Sequence, residues 1–318
     1  MTTITLAAVG DLLMKKKMIA SAAREGGFSP VFSRVKPYLR KADLTIGNLE
    51  TTFSGSRFKG KPGRLLFSSP DAFAATLRSL GFDVLSTANN HCMDGTSAGL
   101  NRTLDVLDRY GLRHTGTYRS ARESRGKLIV NVKGIKIGIL AYTYRTNGIQ
   151  VPQPWLVNRI VRKKIAADVR SLKRVTDFII VCLHFGKEFR SRPDRGQVRL
   201  MHQLFRNGVN VVLGAHPHVL HPVKIYKVKD RDGRLRNRIA ASSLGNFVST
   251  ELPQHTARLR GKILKLTIAK NAKGVTDVRK MTSVPTRILQ NIGPKQVYRV
   301  VPAGRDGPHQ KQRRSIVG

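Results

Sequence analysis

Short apolar runs alternate with amphipathic stretches along the first two thirds of the chain. Ile4 to Val9, Asp43 to Gly47, Asp83 to Thr87, Asp177 to Leu183 and Val209 to Leu213 are brief and dominated by aliphatic residues, the pattern of strands buried on both faces. Between them lie stretches of helical character. Met14 to Arg24 is one; Pro30 to Lys41 is another, with Ser29 as N-cap and Pro30 at the first helical position, although Pro37 argues against a regular helix there. Ser69-Pro70-Asp71 opens a helix carrying Phe73, Leu77 and Leu80 and closed by Gly81. Beyond Asp94-Gly95, Leu100, Leu104 and Leu107 recur at helical spacing up to Gly111, and Arg159 to Arg174 and Asp194 to Asn207 complete the helices.

The remaining patterns are of paired strands. Leu128 to Val132 and Ile135 to Tyr142 flank Lys133-Gly134, a hairpin signal, and a second hairpin is predicted around Asp232-Gly233. The run Ile239 to Phe247 and the segments Ile263 to Ile268 and Val275 to Lys280 follow as strands. Alternation of strand and helix followed by a strand-rich end predicts an α/β layered core completed by antiparallel strands. Residues 1–302 read as one domain, with a motif-bearing core over 4–248 and a strand-rich completion over 249–302. Residues 303–318 are basic and nearly devoid of apolar side chains, and are expected to be disordered.

What changes the picture is how the buried runs end. Val9 leads into Gly10-Asp11, Ile46 into Asn48 and Glu50, Thr87 into Asn89, Asn90 and His91, Leu183 into His184, and Leu213 into His216 and His218. In open α/β sheets the carboxyl ends of strands form the usual site crevice, and Asp, Glu, Asn and His collected there suit a divalent metal. A lone histidine at a strand end is more often a hydrogen-bonded structural residue; five strand ends of this kind shift the balance. His216 and His218, separated only by Pro217, reach two neighbouring positions only if the backbone turns there. Mixed nitrogen and oxygen donors favour manganese, zinc or iron over calcium.

The chain has 318 residues, enough for a sizeable core, with 58 Lys and Arg against 19 Asp and Glu, a formal charge of +39. That excess goes far beyond what solubility needs and attracts polyanions or anionic surfaces, although a solvated basic face would carry the same charge. Cys92 and Cys182 have neither metal-finger spacing nor the number for a disulfide framework, and read as small buried hydrophobes. No stretch approaches the roughly 20 apolar residues of a membrane span. The first strand leads straight into Asp11 without a separable signal peptide, so a cytoplasmic location is expected, with membrane association through the basic surface as a variant.

The motifs also carry a resemblance. Gly10-Asp11, Gly47-Asn48-Leu49-Glu50, Ala88-Asn89-Asn90-His91 with Asp94, Leu183-His184-Phe185-Gly186-Lys187-Glu188, Gly214-Ala215-His216-Pro217-His218-Val219 and Ser243-Leu244-Gly245-Asn246-Phe247 resemble the successive motifs of the CapA capsule-synthesis family, within the calcineurin-like metallophosphoesterase superfamily. The resemblance runs in order from Ile4 to Val248. It implies a four-layered α/β/β/α sandwich with a two-metal site at the sheet edge, and a link to poly-gamma-glutamate, an acidic capsule polymer. Carried over by position, it implies that Asp11 and His218 bind one metal, that Asn90, His184 and His216 bind a second, that Glu50 bridges, and that His91 is the general acid. Leu13 stands where the superfamily commonly has a histidine, which leaves the first metal position a ligand short, and His221 replaces a common glutamine.

The expected function is a metal-dependent hydrolase or transferase acting on an anionic substrate in capsule or cell-envelope polymer synthesis. Two other classes stay open: a non-catalytic metal-containing component that binds or exports a polyanion, and a phosphoesterase associated with nucleic acid. The low aromatic content, 6%, supplies few stacking platforms and weighs against the last. Arg159, Arg162, Lys163, Arg170 and Lys173 recur along one predicted helix as a cationic stripe, and Gly55 to Pro62 and Val151 to Trp155 read as loops at the pocket rim. Binding to polyglutamate is expected to weaken steeply between low and physiological salt, through counterion release and screening. Affinity measured by titration across that range checks this, and a level response counts against a charge-driven partner.

Overall fold

The computed structural model describes residues 1–56, 58, 63–230, 233–250, 255–291, 296–304 and 314–315. The first half of the chain supplies β1 (Thr2–Leu12), α1 (Lys16–Arg24), α2 (Ser29–Phe32), α3 (Lys36–Arg40), β2 (Leu44–Leu49), α4 (Asp71–Ser79), β3 (Val84–Ser86), α5 (Thr96–Arg109), β4 (Arg113–Thr115) and α6 (Ala121–Arg125). It continues with β5 (Leu128–Val132), β6 (Ile135–Thr143), α7 (Arg162–Lys173), β7 (Phe178–His184), α8 (Arg195–Arg206) and β8 (Val211–Ala215). Among the described residues seven strands complete it: β9 (Val223–Lys229), β10 (Leu235–Ala241), β11 (Asn246–Val248), β12 (Arg260–Lys270), β13 (Thr276–Asn291), β14 (Val297–Pro302) and the two-residue β15 (Arg314–Ser315).

These strands form two sheets. One runs β14-β13-β12-β1-β2-β3-β4, with β11 paired to the end of β1; the other runs β5-β6-β7-β8-β10-β9. The strands that carry the polar ends, β1, β2 and β3 in one sheet and β7 and β8 in the other, pair in parallel. The late strands are antiparallel additions: β12 pairs with β1, β13 with β12 and β14 with β13. β9 pairs antiparallel with β10 on the second sheet.

Strand alternation explains the layering. Along β1, Ile4, Leu6 and Ala8 face the second sheet, where they join Leu44, Ile46 and Val84 against Ile137, Ile139, Phe178, Ile180 and Val211. Ala7 and Val9 point the other way and pack with Phe32, Leu39, Phe73, Leu77, Leu104 and Leu107 of the first helical layer. On the far side, Tyr142, Ile179 and Val181 meet Ile165, Val169, Leu172, Leu200 and Leu204 of α7 and α8. The result is a four-layered α/β/β/α sandwich. Each inner strand is apolar on both faces, so polar chemistry is pushed to the strand ends.

Local signals decided most boundaries. Lys133 and Gly134 both take positive φ, 49° and 83°, as the tight turn between β5 and β6 requires. Asp194 and Gln197 form a reciprocal capping box at the start of α8. Pro37 divides the predicted helix Pro30 to Lys41 into α2 and α3, Pro37 lying in the first turn of the latter. Three differences stand out. The run Ile239 to Phe247 is not one strand, because β10 belongs to the second sheet and β11 crosses to pair with β1. The three-residue β4 and the five-residue α6 are too short to show a period. In the tail, Arg314 and Ser315 pair with Met281 and Lys280, while 305–313 and 316–318 lie outside the described residues.

The α7 layer is tied to the sheet by charge as well as by packing. Asp168 accepts from the Tyr142 hydroxyl at 2.7 Å and from Lys164 at 2.8 Å, and Lys127 lies 3.0 Å from its other oxygen. Burial pushes its carboxyl pKa up, but Lys164, Tyr142 and Lys127 together outweigh that and leave it below the ordinary value. A depressed carboxylate stabilises the fold above its unfolded value of about 3.9 and loses that contribution as pH falls through the folded value. Asp168→Asn is therefore expected to cost roughly 1–3 kcal/mol at neutral pH. Chemical denaturation of both proteins across pH should show the gap flat above about pH 5 and narrowing below pH 4.

Candidate metal centre

All five polar strand ends meet at one edge of the sandwich. Asp11 lies in β1 and is fully buried; its Oδ1 accepts from Asn48 Nδ2 at 2.8 Å, and its Oδ2 accepts from the His216 backbone N–H at 3.3 Å. Its own N–H donates to Gly245 O at 3.0 Å, a contact that needs Gly10, since a Cβ there would run into that carbonyl. Glu50, one residue past β2, is also fully buried. Neither of its carboxylate oxygens has a hydrogen-bond partner among the described residues, although His184 Nε2 and His218 Nε2 lie 3.5 and 3.7 Å from Oε1.

The second sheet brings three imidazoles. His184 ends β7, and its Nε2 stands 2.7 Å from Asn90 Oδ1. The ring of His216 lies 4.8 Å from that of His184 and 6.0 Å from that of His218, centroid to centroid. The predicted turn around Pro217 is real and strained, for His216 and His218 have φ of 97° and 57°. Phe189 N–H to Pro217 O at 2.8 Å helps to hold it. His218 Nδ1 is 3.2 Å from Asp11 Oδ2 and 3.0 Å from Asn246 Oδ1. Donor atoms of Asp11, Glu50 and His184, and of Glu50, His216 and His218, lie within 4.8 Å of one another. Glu50 is the shared member.

The electrostatics follow from burying two carboxylates together. Burial, then the charge of Asp11, pushes the Glu50 pKa well above its usual range against the pull of His218. Burial lowers His218, but Glu50 and Asp11 outweigh it and raise the ring to about 10. Burial followed by the neighbouring imidazoles drives His184 well down and His216 to about 4. Neutral His184 and His216 stand beside Glu50, and the buried oxygens of Glu50, which have no hydrogen-bond donor among the described residues, fit a divalent metal directly.

His91 stands beside this set. Its Nδ1 is 2.7 Å from Asp94 Oδ2, its Nε2 is 3.3 Å from Asn147 Nδ2, and Phe67 packs on its ring at 4.5 Å. An ionised Asp94 can only accept, so Nδ1 donates and Nε2 is the atom free to exchange a proton. Asn89 is a brace, donating to Leu49 O at 2.6 Å and accepting from the His91 N–H at 3.0 Å.

Leu13 is buried and brings no donor atom, and His221 is taken up by Ser242 Oγ at 3.0 Å and the Arg190 carbonyl at 2.7 Å. Asn48, named at the end of the second buried run, holds Asp11, and two amides gained a place that strand-end reasoning did not assign: Asn246 on His218 and Asn147 on Asn90 and His91. Asn48 and Asn246 lay within the quoted motifs. For Asn147 the available signal was the Asn-Gly pair, which marks a tight turn and nothing more. Of the predicted rim loops, Val151 to Trp155 is irregular, whereas residues 57 and 59–62 of the other lie outside the described residues.

The four-layered sandwich thus gathers Asp, Glu, Asn and His donors at the ends of its parallel strands. The family model described as "Bacterial capsule synthesis protein PGA_cap" matches residues 5–251, and the chain belongs to that family. Among its relatives is a capsule biosynthesis protein CapA of Bacillus anthracis, 26% identical over 77% of this chain and 59% of the relative. A PGA biosynthesis protein CapA of Bacillus subtilis is 25% identical over 88% of this chain and 73% of the relative. The chain thus spans less than two thirds of the Bacillus anthracis protein. In fold it is similar to a phosphatase from Mycoplasma pneumoniae, with a TM-score of 0.51, 16% identity and coverage of 90% and 94% of the two chains.

Saturating the protein with a divalent metal at about 100 times its Kd is expected to raise stability by about 2.7 kcal/mol, and a chelator to reverse it. Thermal melts with and without Mn²⁺ measure this, and Glu50→Ala is expected to abolish the response.

Proposed function

We propose that this protein is a metal-dependent hydrolase acting on an anionic substrate of capsule or envelope polymer synthesis. The observation that carries the reading is His91, locked to buried Asp94 and next in sequence to Asn90, whose carbonyl oxygen faces His184 in the donor set. Asp11, Glu50, Asn90, His184, His216 and His218 would hold two divalent ions, with Glu50 common to both. Such ions supply positive charge that polarises a phosphoryl or carbonyl group and activates water for attack.

The chain's own residues do the rest. Asp94 keeps the Nδ1 proton of His91 in place and stabilises the doubly protonated ring, so that Nε2 gives its proton to the departing oxygen or nitrogen. Phe67 excludes water from one side of that ring. The described residues hold no helix long and apolar enough to cross a membrane. The Arg145 charge is felt at His184 and His216, which suits an anion held over the donor set.

A non-catalytic role in guiding a polyanion is favoured by one observation, the formal charge of +39, with Arg159, Arg162, Lys163 and Arg170 all exposed. Turnover of phosphoesters or gamma-glutamyl peptides that depends on added Mn²⁺ separates the two readings. Within the first, Asn90→Ala is expected to lower metal content. His91→Ala should keep metal and melting temperature and lose turnover by roughly 10²-fold to 10⁴-fold. Metal analysis, thermal melts and rates on both variants check this; a His91→Ala protein with normal turnover removes the acid role.

A further inference from the structure

The loop after β6 enters the site at one residue. Thr146, Asn147, Gly148 and Ile149 form a tight turn closed by Ile149 N–H to Thr146 O at 2.9 Å, with Asn147 and Gly148 at φ of 48° and 72°. The turn is built to hold its shape: Thr146 Oγ1 donates to Ile149 O at 2.7 Å and Thr143 Oγ1 to Arg145 O at 3.0 Å. Tyr144 N–H donates to the His184 carbonyl at 3.0 Å, which anchors the loop to the end of β7. From this frame the Asn147 side chain makes two bonds. Its Oδ1 accepts from Asn90 Nδ2 at 3.2 Å, and its Nδ2 faces His91 Nε2 at 3.3 Å.

We infer that Asn147 is a positioning residue that sets the orientation of both Asn90 and His91, an inference that rests on the metal-dependent reading of the site. A carboxamide has an accepting end and a donating end, and only the oxygen of Asn90 can ligate a cation. Asn147 takes the NH₂ end of Asn90 and so turns the oxygen toward His184 and the donor set. Without it the Asn90 amide can flip and present N–H groups to the cation. At the other end, Asn147 donates to the Nε2 lone pair of singly protonated His91 and fixes the ring plane that Asp94 holds from Nδ1, a bond given up when Nε2 takes on the proton it delivers. One amide thereby aligns a ligand and an acid that are adjacent in sequence but differ in task.

A turn that needs positive φ explains an asparagine by itself, so the test separates backbone from side chain. Asn147→Gly keeps the turn, since glycine takes positive φ freely, and removes both bonds. It should melt with the wild type yet bind Mn²⁺ about 10-fold more weakly, the usual effect of losing a group that orients a ligand. On an Asn90→Ala background the same change should add nothing, because the two act through one bond. Asn147→Asp keeps an oxygen for Asn90 and should restore Mn²⁺ affinity, while losing the donor to His91 and remaining slow in kcat with KM unchanged on a chromogenic phosphoester. Wild-type Mn²⁺ affinity in Asn147→Gly, or losses that simply add to those of Asn90→Ala, overturns the inference while leaving the metal site intact. Wild-type protein that takes up no Mn²⁺ overturns the reading beneath it, and the inference with it.

Discussion

Two carboxylates, Asp11 and Glu50, are buried together without exposure at the edge where both sheets end. Burying one uncompensated carboxylate costs several kcal/mol, and two in contact cost more. Much of the local structure serves to make that tolerable. Asp11 is satisfied by Asn48 and by the His216 main chain, and His218 shares its charge with both acids. Of the two, Glu50 keeps both oxygens without a hydrogen-bond partner among the described residues. A carboxylate left in that condition is a binding group for a cation, and its position between the two sets of donors makes it the centre from which the rest of the site is organised.

The scaffold accepts strain to keep these donors close. His216 and His218 sit in the left-handed region on either side of Pro217, each at a cost of order 1–3 kcal/mol. The distortion is held by rigid neighbours. β8 is hydrogen-bonded on both sides, to β7 and β10, and Phe189 ties the Pro217 carbonyl to the segment after His184. The strand β11 closes the opposite side, bringing Asn246 against His218 and the Gly245 carbonyl onto Asp11. Packing in three apolar layers, far larger than the site, supplies the stability that such strain consumes.

Function divides between this centre and the surface. The centre has the clustered donors and the adjacent His91–Asp94 pair, on a fold similar to that of a phosphatase. The surface carries an excess of cations unrelated to ligation, and it bears on what approaches rather than on what is broken. Under the proposed reading, the surface would gather an anionic substrate and the centre would process it.

The sequence by itself determined the layered α/β character, because inner strands must be apolar on both faces and the helices between them on one. It also named Asp11, Glu50, Asn90, His184, His216 and His218 as polar groups at the ends of buried strands, and the structure brings these to one edge. Tertiary structure decided what depends on contacts distant in sequence. The split of Ile239 to Phe247 into β10 and β11 leaves no mark on hydrophobicity, since both halves are buried, yet it places Asn246 across the site from its neighbours. The bare state of Glu50 depends on which side chains fail to reach it, and the role of Asn147 depends on a loop that closes over residues 56 and 57 positions earlier. Local pattern reports burial and turns; the partner of a buried polar atom is known only when the chain has returned to it.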